Sequence, residues 1–147
     1  MDDGSGAVEK LWLKRVRRGP MDPVESVTAI EGHGLEGNAN VGGKRQVTIL
    51  SAEAWARIEA AVGGEVDPTV RRANVLVSGV DLENARGKEL TLGSVTISIQ
   101  GETRPCRLME EIREGLQDAM SAQWGGGAFG VVTHGGTIHV GDEVRLE

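Results

Sequence analysis

Aromatic side chains are scarce: the 147 residues include no tyrosine, one phenylalanine and three tryptophans. A core built by this chain therefore has to be filled by valine, isoleucine, leucine and alanine. Cysteine occurs once, so no internal disulfide can form, and a lone thiol fits a reducing, cytoplasmic setting. Long apolar runs are missing, and none approaches the roughly 20 residues of a membrane-spanning helix. The start, Met1-Asp2-Asp3-Gly4-Ser5-Gly6, lacks the basic and then apolar pattern of a secretory signal. Positive charge is in deficit, with 16 Lys and Arg against 22 Asp and Glu and a formal net charge of −6. That balance argues against non-specific nucleic-acid binding over the whole surface. Neither nucleic acid nor a membrane is expected as a partner.

What is abundant is glycine, at 22 residues, recurring at short intervals from Gly32 onward. Frequent tight turns between short strands follow from that spacing. Residues 1–7 read as a disordered tail, and residues 8–147 as one domain with a single core. Strands are expected at Leu11-Trp12-Leu13, from Val24 to Glu31, and from Gln46 to Leu50. Further strands are expected at Asn74 to Val77, Glu89 to Leu92 and Val95 to Ile99, and three short ones follow Phe129. Gly19-Pro20-Met21-Asp22-Pro23 is a break, because two prolines exclude a central strand. Ser51 caps a helix carrying Trp55, Ile58 and Val62 on one face, and Gly63-Gly64 stops it. Met109, Ile112, Leu116, Met120 and Trp124 recur at helical spacing and predict a second helix, stopped by Gly125-Gly126-Gly127. Eight or nine strands and two helices, without the strand–helix alternation that builds a parallel sheet, imply a mainly β chain. A small barrel, closed or partly closed, or a curled sheet, with two or so peripheral helices is the expected fold.

Cys106 is the residue with the most chemical potential. It follows Pro105 and lies between Arg104 and Arg107. A thiol reacts as its thiolate, which neighbouring cations and a helix start favour; a lone cysteine is also often a small buried hydrophobe. His33, His134 and His139 show no spacing that links them to Cys106, and they lack the paired spacing of a structural zinc site. His139 alternates with Ile138 and Val140 as an outward strand position. Asp81 and Asp142 are explained by turn chemistry. Lys44-Arg45 closes a glycine-rich loop spanning residues 32–43, and Arg71-Arg72 precedes Asn74. Arginines beside glycine loops suit an anionic ligand, since the guanidinium is a planar fork of donors. No phosphate-loop or dinucleotide-loop motif is present.

The ordered set Gly34-Leu35-Glu36-Gly37, Arg45-Gln46-Val47-Thr48-Ile49-Leu50, Arg72-Ala73-Asn74-Val75 and Gly79-Val80-Asp81-Leu82 resembles a MOSC domain. The second half adds Arg104-Pro105-Cys106, Gly126-Gly127, Gly130-Val131-Val132, Gly135-Gly136-Thr137-Ile138 and Gly141-Asp142-Glu143-Val144. MOSC is the C-terminal domain type of molybdenum cofactor sulfurases, also found as small free-standing bacterial proteins. The resemblance implies a MOSC-type β-barrel and a pterin cofactor, the molybdenum cofactor (molybdopterin). It implies that Cys106 carries sulfur as a persulfide or ligates molybdenum. Arg45, Arg72 and Asn74 fall on positions expected near the pterin and its phosphate, Arg104 beside the thiol, and Gly127 and Gly136 on turns that shape the pocket. A cysteine desulfurase or an electron-donor protein is the implied partner. Two alternatives accompany this reading: a molybdenum-dependent reductase of N-hydroxylated compounds, and a non-catalytic binding module with an inert Cys106. Many relatives have Gly-Asp where this chain has Gly37-Asn38, and often a histidine where it has Asn40.

Overall fold

The structure, a computed structural model, describes residues 5–147. In chain order the elements are β1 (Ser5–Lys14), β2 (Met21–Val24), β3 (Ser26–Ile30), β4 (Gly34–Leu35), β5 (Val47–Ser51), α1 (Ala52–Val62) and β6 (Val75–Ser78). There follow β7 (Glu89–Leu92), β8 (Val95–Glu102), α2 (Arg107–Ile112), α3 (Leu116–Ser121), β9 (Ala128–His134), β10 (Gly136–His139) and β11 (Glu143–Leu146). Short 3-10 turns occupy Pro68–Arg71 and Ala122–Trp124.

Seven strands close a barrel in the order β1-β6-β5-β9-β8-β7-β11 and back to β1. Closure depends on Ser5, Gly6 and Ala7, which pair with Arg145, Val144 and Glu143. The expected disordered tail is thus corrected for residues 5–7. Their backbone groups complete the ring, which leaves no open sheet edge there. Met1 to Gly4 lie outside the described residues. Farther along β1, the same edge takes up β2, with Pro23 opposite Trp12. The proline break is therefore an edge strand, where a missing N–H costs no ladder bond. The run read as one strand from Val24 to Glu31 divides, because β3 leaves for a second, three-stranded sheet ordered β10-β3-β4.

Period-two alternation decides which side chains fill the barrel. Val95, Ile97 and Ile99 of β8 are buried, with Thr96 and Ser98 between them half-buried. They join Leu11, Leu13, Ile49, Val75, Leu90, Leu92 and Val132 in one aliphatic cluster. Val27, Ala29 and Ile138 of the small sheet belong to the same cluster. Each buried aliphatic side chain contributes roughly 1.5–3 kcal/mol. The alternate residues Trp12, Leu50 and Leu76 face outward and meet Trp55, Ile58, Met109, Leu116 and Met120 in a second layer under the helices. The two buried tryptophans lie in this outer layer, and the barrel interior is aliphatic, as the composition requires.

Helix α1 starts and stops where the sequence predicts. Ser51 Oγ accepts from the Ala54 N–H, and Gly63 adopts the left-handed conformation at φ 81°. It joins β5 to β6, which run parallel. One strand–helix–strand unit is therefore present where none was expected. The predicted second helix divides into α2 and α3. Arg113 is extended at φ −155° and Gly115 left-handed at φ 87°. The Glu110 carboxylate accepts from the Gly115 and Gln117 N–H groups, and Arg113 donates to Val62 O. These bonds hold a break that the apolar spacing does not show. Ile112, expected inside, is 48% exposed. The extra strands beyond the expected eight or nine are short ones, β2 and β4 among them.

Candidate functional site

The end of β1, the starts of β5 and β6, and the end of β8 meet at one rim of the barrel. A cleft of about 200 Å³ opens there, lined by Lys14, Asn38, Asn40, Arg45, Thr48, Arg71, Arg72, Ala73, Asn74, Thr103 and Gly126. Its wall is a buried amide network. Asn74 Nδ2 donates to Trp12 O and to Asn38 Oδ1, each at 3.2 Å. Asn74 Oδ1 accepts from the N–H and the hydroxyl of Thr48, again at 3.2 Å. Asn38 Oδ1 also accepts from the Lys14 N–H at 2.9 Å, and Asn38 Nδ2 donates to Asn40 O. Both amides are over nine-tenths buried and fully engaged, which is what burial of such groups demands. They tie β1, β5, β6 and the glycine-rich loop together.

Arg71 forms the opposite wall. Its Nε donates to Gly126 O at 2.9 Å, and its Nη2 to Thr103 O at 2.7 Å and Arg104 O at 3.1 Å. Nη1 has no protein partner among these bonds and is the donor left for a ligand. The approach requires glycine at 126: a Cβ there would lie 2.5 Å from Thr103 O and 3.2 Å from Arg71 Nη2. Burial lowers the Arg71 pKa from its ordinary value; the charges of Cys106 and Glu102 oppose that and Arg45 reinforces it. Asp67 sets up this wall from below. It caps the 3-10 turn by accepting from the N–H and the hydroxyl of Thr69, and these bonds hold its carboxyl below the usual range. Arg72 ends the turn in the left-handed region at φ 61° and donates to Gly19 O.

The cleft continues into a wider groove of about 750 Å³ that adds Arg17, Arg18, Lys44 and Phe129. The Arg45 guanidinium sits over the Phe129 ring, 4.7 Å from its centroid. Together the two compartments gather Lys14, Arg17, Arg18, Lys44, Arg45, Arg71 and Arg72, with no carboxylate among the described lining residues. None of the seven forms an ion pair among the described residues. In a chain of net charge −6, this is a concentration of positive field at one site.

Cys106 is exposed and stands immediately before α2. Arg71 donates to the carbonyl of Arg104, two residues before Cys106, so the thiol follows closely on the cleft wall in the chain, although it is not part of the lining. The helix that follows has only six residues, far shorter than the apolar spacing predicts, so its dipole adds little.

Comparison with known proteins fixes the family. The MOSC domain matches residues 36–145. The chain belongs to the MOSC domain family. Among solved structures, the YuaD protein of Bacillus subtilis superposes with a TM-score of 0.78 at 21% identity, covering 97% of this chain and 95% of that one. YiiM from Escherichia coli gives 0.72 at 16% identity, over 99% of this chain and 70% of that one. YiiM from Geobacillus stearothermophilus gives 0.68 at 15%, over 98% and 73%. No curated protein matches the chain. At these identities the structures share the MOSC fold.

Within this MOSC domain, the expected site residues separate. Arg45, Arg72 and Asn74 line the cleft together, but Asn74 has both amide hydrogens engaged and serves as scaffold. Gly127 lies next to the lining Gly126; it has φ +102°, and a Cβ would fall 2.3 Å from Ile49 O. Arg104 points away, 83% exposed, with its Nε 3.9 Å from Glu102 Oε1; only its carbonyl meets Arg71. Gly136 stands in β10, where a Cβ would meet Ser94 Oγ at 2.7 Å, and it lines no part of the cleft. Lys14 and Thr103 carry no sequence signal for a site. Arg71 carries one, its pairing with Arg72, but the matching of positions favoured Arg72. His33, His134 and His139 are exposed. Asp81 and Asp142 cap turns by accepting from the Glu83 and His139 N–H groups. Among the described residues no cluster of three or more His, Cys, Asp and Glu could hold a metal ion. No helix among them is long and apolar enough to cross a membrane.

Proposed function

We propose that this MOSC domain binds the anionic pterin of the molybdenum cofactor in the basic cleft, with Cys106 at its lip as sulfur carrier or molybdenum ligand. The observation that carries the reading is an exposed thiol two residues beyond the Arg104 carbonyl that Arg71 holds, next to a cleft lined by cations that have no carboxylate partner among the described residues. These donors fit a phosphate and a flat, hydrogen-bonding ring. A metal held by a pterin dithiolene needs one further thiol from the protein rather than a cluster, and a lone cysteine meets that need. When bound, the group would supply metal-centred sulfur or oxygen chemistry. Arg71, Arg72, Arg45 and Lys14 would hold and neutralise it, and the amide pair Asn38–Asn74 keeps their backbone in place.

Exposure of Cys106 favours sulfur carriage, since a protein donor must reach the sulfur. The thiolate attacks the outer sulfur of a donor persulfide, the donor S–S bond breaks, and the donor leaves as a thiolate. Cys106 then holds the persulfide. Leu108 and Ile112, 57% and 48% exposed on the adjoining helix, offer apolar surface for a cysteine desulfurase or an electron-donor protein.

Reconstitution with the cofactor, followed by metal and pterin analysis, tests the reading. Wild type is expected to retain pterin, and Cys106→Ser to retain pterin while losing metal or persulfide. Equal metal and persulfide content in both proteins removes the role of Cys106. Slow alkylation of Cys106 near neutral pH, with no persulfide after exposure to a desulfurase, supports the inert-module alternative.

A further inference from the structure

The outer groove is more basic than a monophosphate needs. A phosphate monoester carries about −1.5 to −2 charges, whereas seven cations without an ion pair among the described residues line the two compartments, with no acidic residue among the described lining residues. We propose that the groove accepts a ligand with two phosphate-type groups, of the nucleoside diphosphate class, one in the inner cleft and one between the β1–β2 turn and the loop ending at Lys44. This rests on the anionic-ligand reading above and specifies its charge.

Three further observations support it. The two compartments are continuous, because Lys14, Arg45 and Arg72 line both. A diphosphate at their junction meets shared cations and then a separate set on each side. The outer set, Arg17, Arg18 and Lys44, comes from two loops that line the same groove. These loops are anchored to the inner cleft rather than hanging free. Arg72 donates to Gly19 O in the β1–β2 turn, and the Ala39 N–H donates to Lys14 O at 2.6 Å. Of the five non-glycine residues at positive φ among the described residues, two are groove arginines, Arg18 at 63° and Arg72 at 61°. Such backbone is held at a cost and clusters at ligand clamps. The cations also repel one another. After burial, Arg72 and then Arg17 lower the Lys14 pKa. A polyanion relieves that repulsion. Arg45, held over Phe129, adds a planar cation of the kind that stacks on heterocycles.

Calorimetric titration of the full chain with inorganic phosphate, pyrophosphate, AMP and ADP tests the proposal. The diphosphates are expected to bind roughly tenfold or more tighter than their monophosphate counterparts. That preference should shrink steeply as salt is raised. The triple variant Arg17→Gln, Arg18→Asn, Lys44→Gln should bring diphosphates down to monophosphate affinity, and asparagine tolerates the left-handed backbone at 18. Arg45→Gln should weaken all four ligands. Equal affinity for mono- and diphosphates, or a preference that survives the triple variant, overturns the proposal. Phosphate binding without a diphosphate gain leaves the cofactor reading intact and sinks this one. If no phosphate compound binds but pterin is still retained, this proposal alone fails; if pterin is not retained either, both fail.

Discussion

The inner cleft and the outer groove hold similar charges on opposite kinds of framework. In the inner cleft, Asn38, Asn74 and Arg71 are bonded to main-chain or amide groups from β1, β5, the segment just after β8 and the segment before β9. In the outer groove, Arg17, Arg18 and Lys44 are exposed and make no side-chain hydrogen bond or ion pair among the described residues. The first set is held in place by those bonds, and the second has none. Preorganised donors lose little entropy on binding, and exposed ones contribute mainly long-range field.

This contrast is testable through stability. Asn74→Leu removes four side-chain bonds, takes the Asn74 donor from Trp12 O and the Asn74 acceptor from the Thr48 N–H and hydroxyl, and leaves Asn38 Oδ1 with the Lys14 N–H alone. Chemical denaturation should show a loss of about 3 kcal/mol. Arg71→Met takes a donor from three carbonyls, of which Gly126 O keeps the Thr103 hydroxyl, and should cost about 2 kcal/mol, together with most phosphate affinity. A variant that kept the affinity would move the anion site away from Arg71. Asp67→Ala uncaps the turn that presents Arg71 and should cost roughly 0.5–1 kcal/mol at neutral pH. Because Asp67 is held below its ordinary pKa of 3.8, its stabilisation is present above that value. It is lost as pH falls through the lowered folded-state value, so wild type and Asp67→Ala should converge there. The triple variant at Arg17, Arg18 and Lys44 should stay within about 0.5 kcal/mol of wild type, or gain slightly as repulsion is relieved. A large loss would mean that the outer groove is scaffold after all.

Local signals were legible. Ser51 and Gly63-Gly64 bound α1 because caps act within one turn, and the alternation of β8 reads directly from Val95 to Ile99. The MOSC resemblance was legible from ordered short motifs, and the family match agrees. The cleft was only partly legible. Arg71 and Arg72 are neighbours in sequence and differ in role, because the left-handed residue at 72 sends one guanidinium to Gly126 and the other to Gly19. Asn38 looks like a lost carboxylate in sequence. In the fold it both accepts and donates, and a carboxylate could not make the bond to Asn40 O.

By itself, the sequence determined an aliphatic barrel core, a mainly β chain, one capped helix and a single thiol at a strand-to-helix junction. Those properties follow from side-chain volume, periodicity and capping, which act over a few residues. Only the tertiary structure decided that cations from positions 14, 17–18, 44–45 and 71–72 share one groove. It also decided that Arg71 holds the carbonyl of Arg104, two residues before Cys106, while the Arg104 side chain is left exposed. Barrel closure brings those segments to one rim, and no local rule encodes which distant charges will meet there.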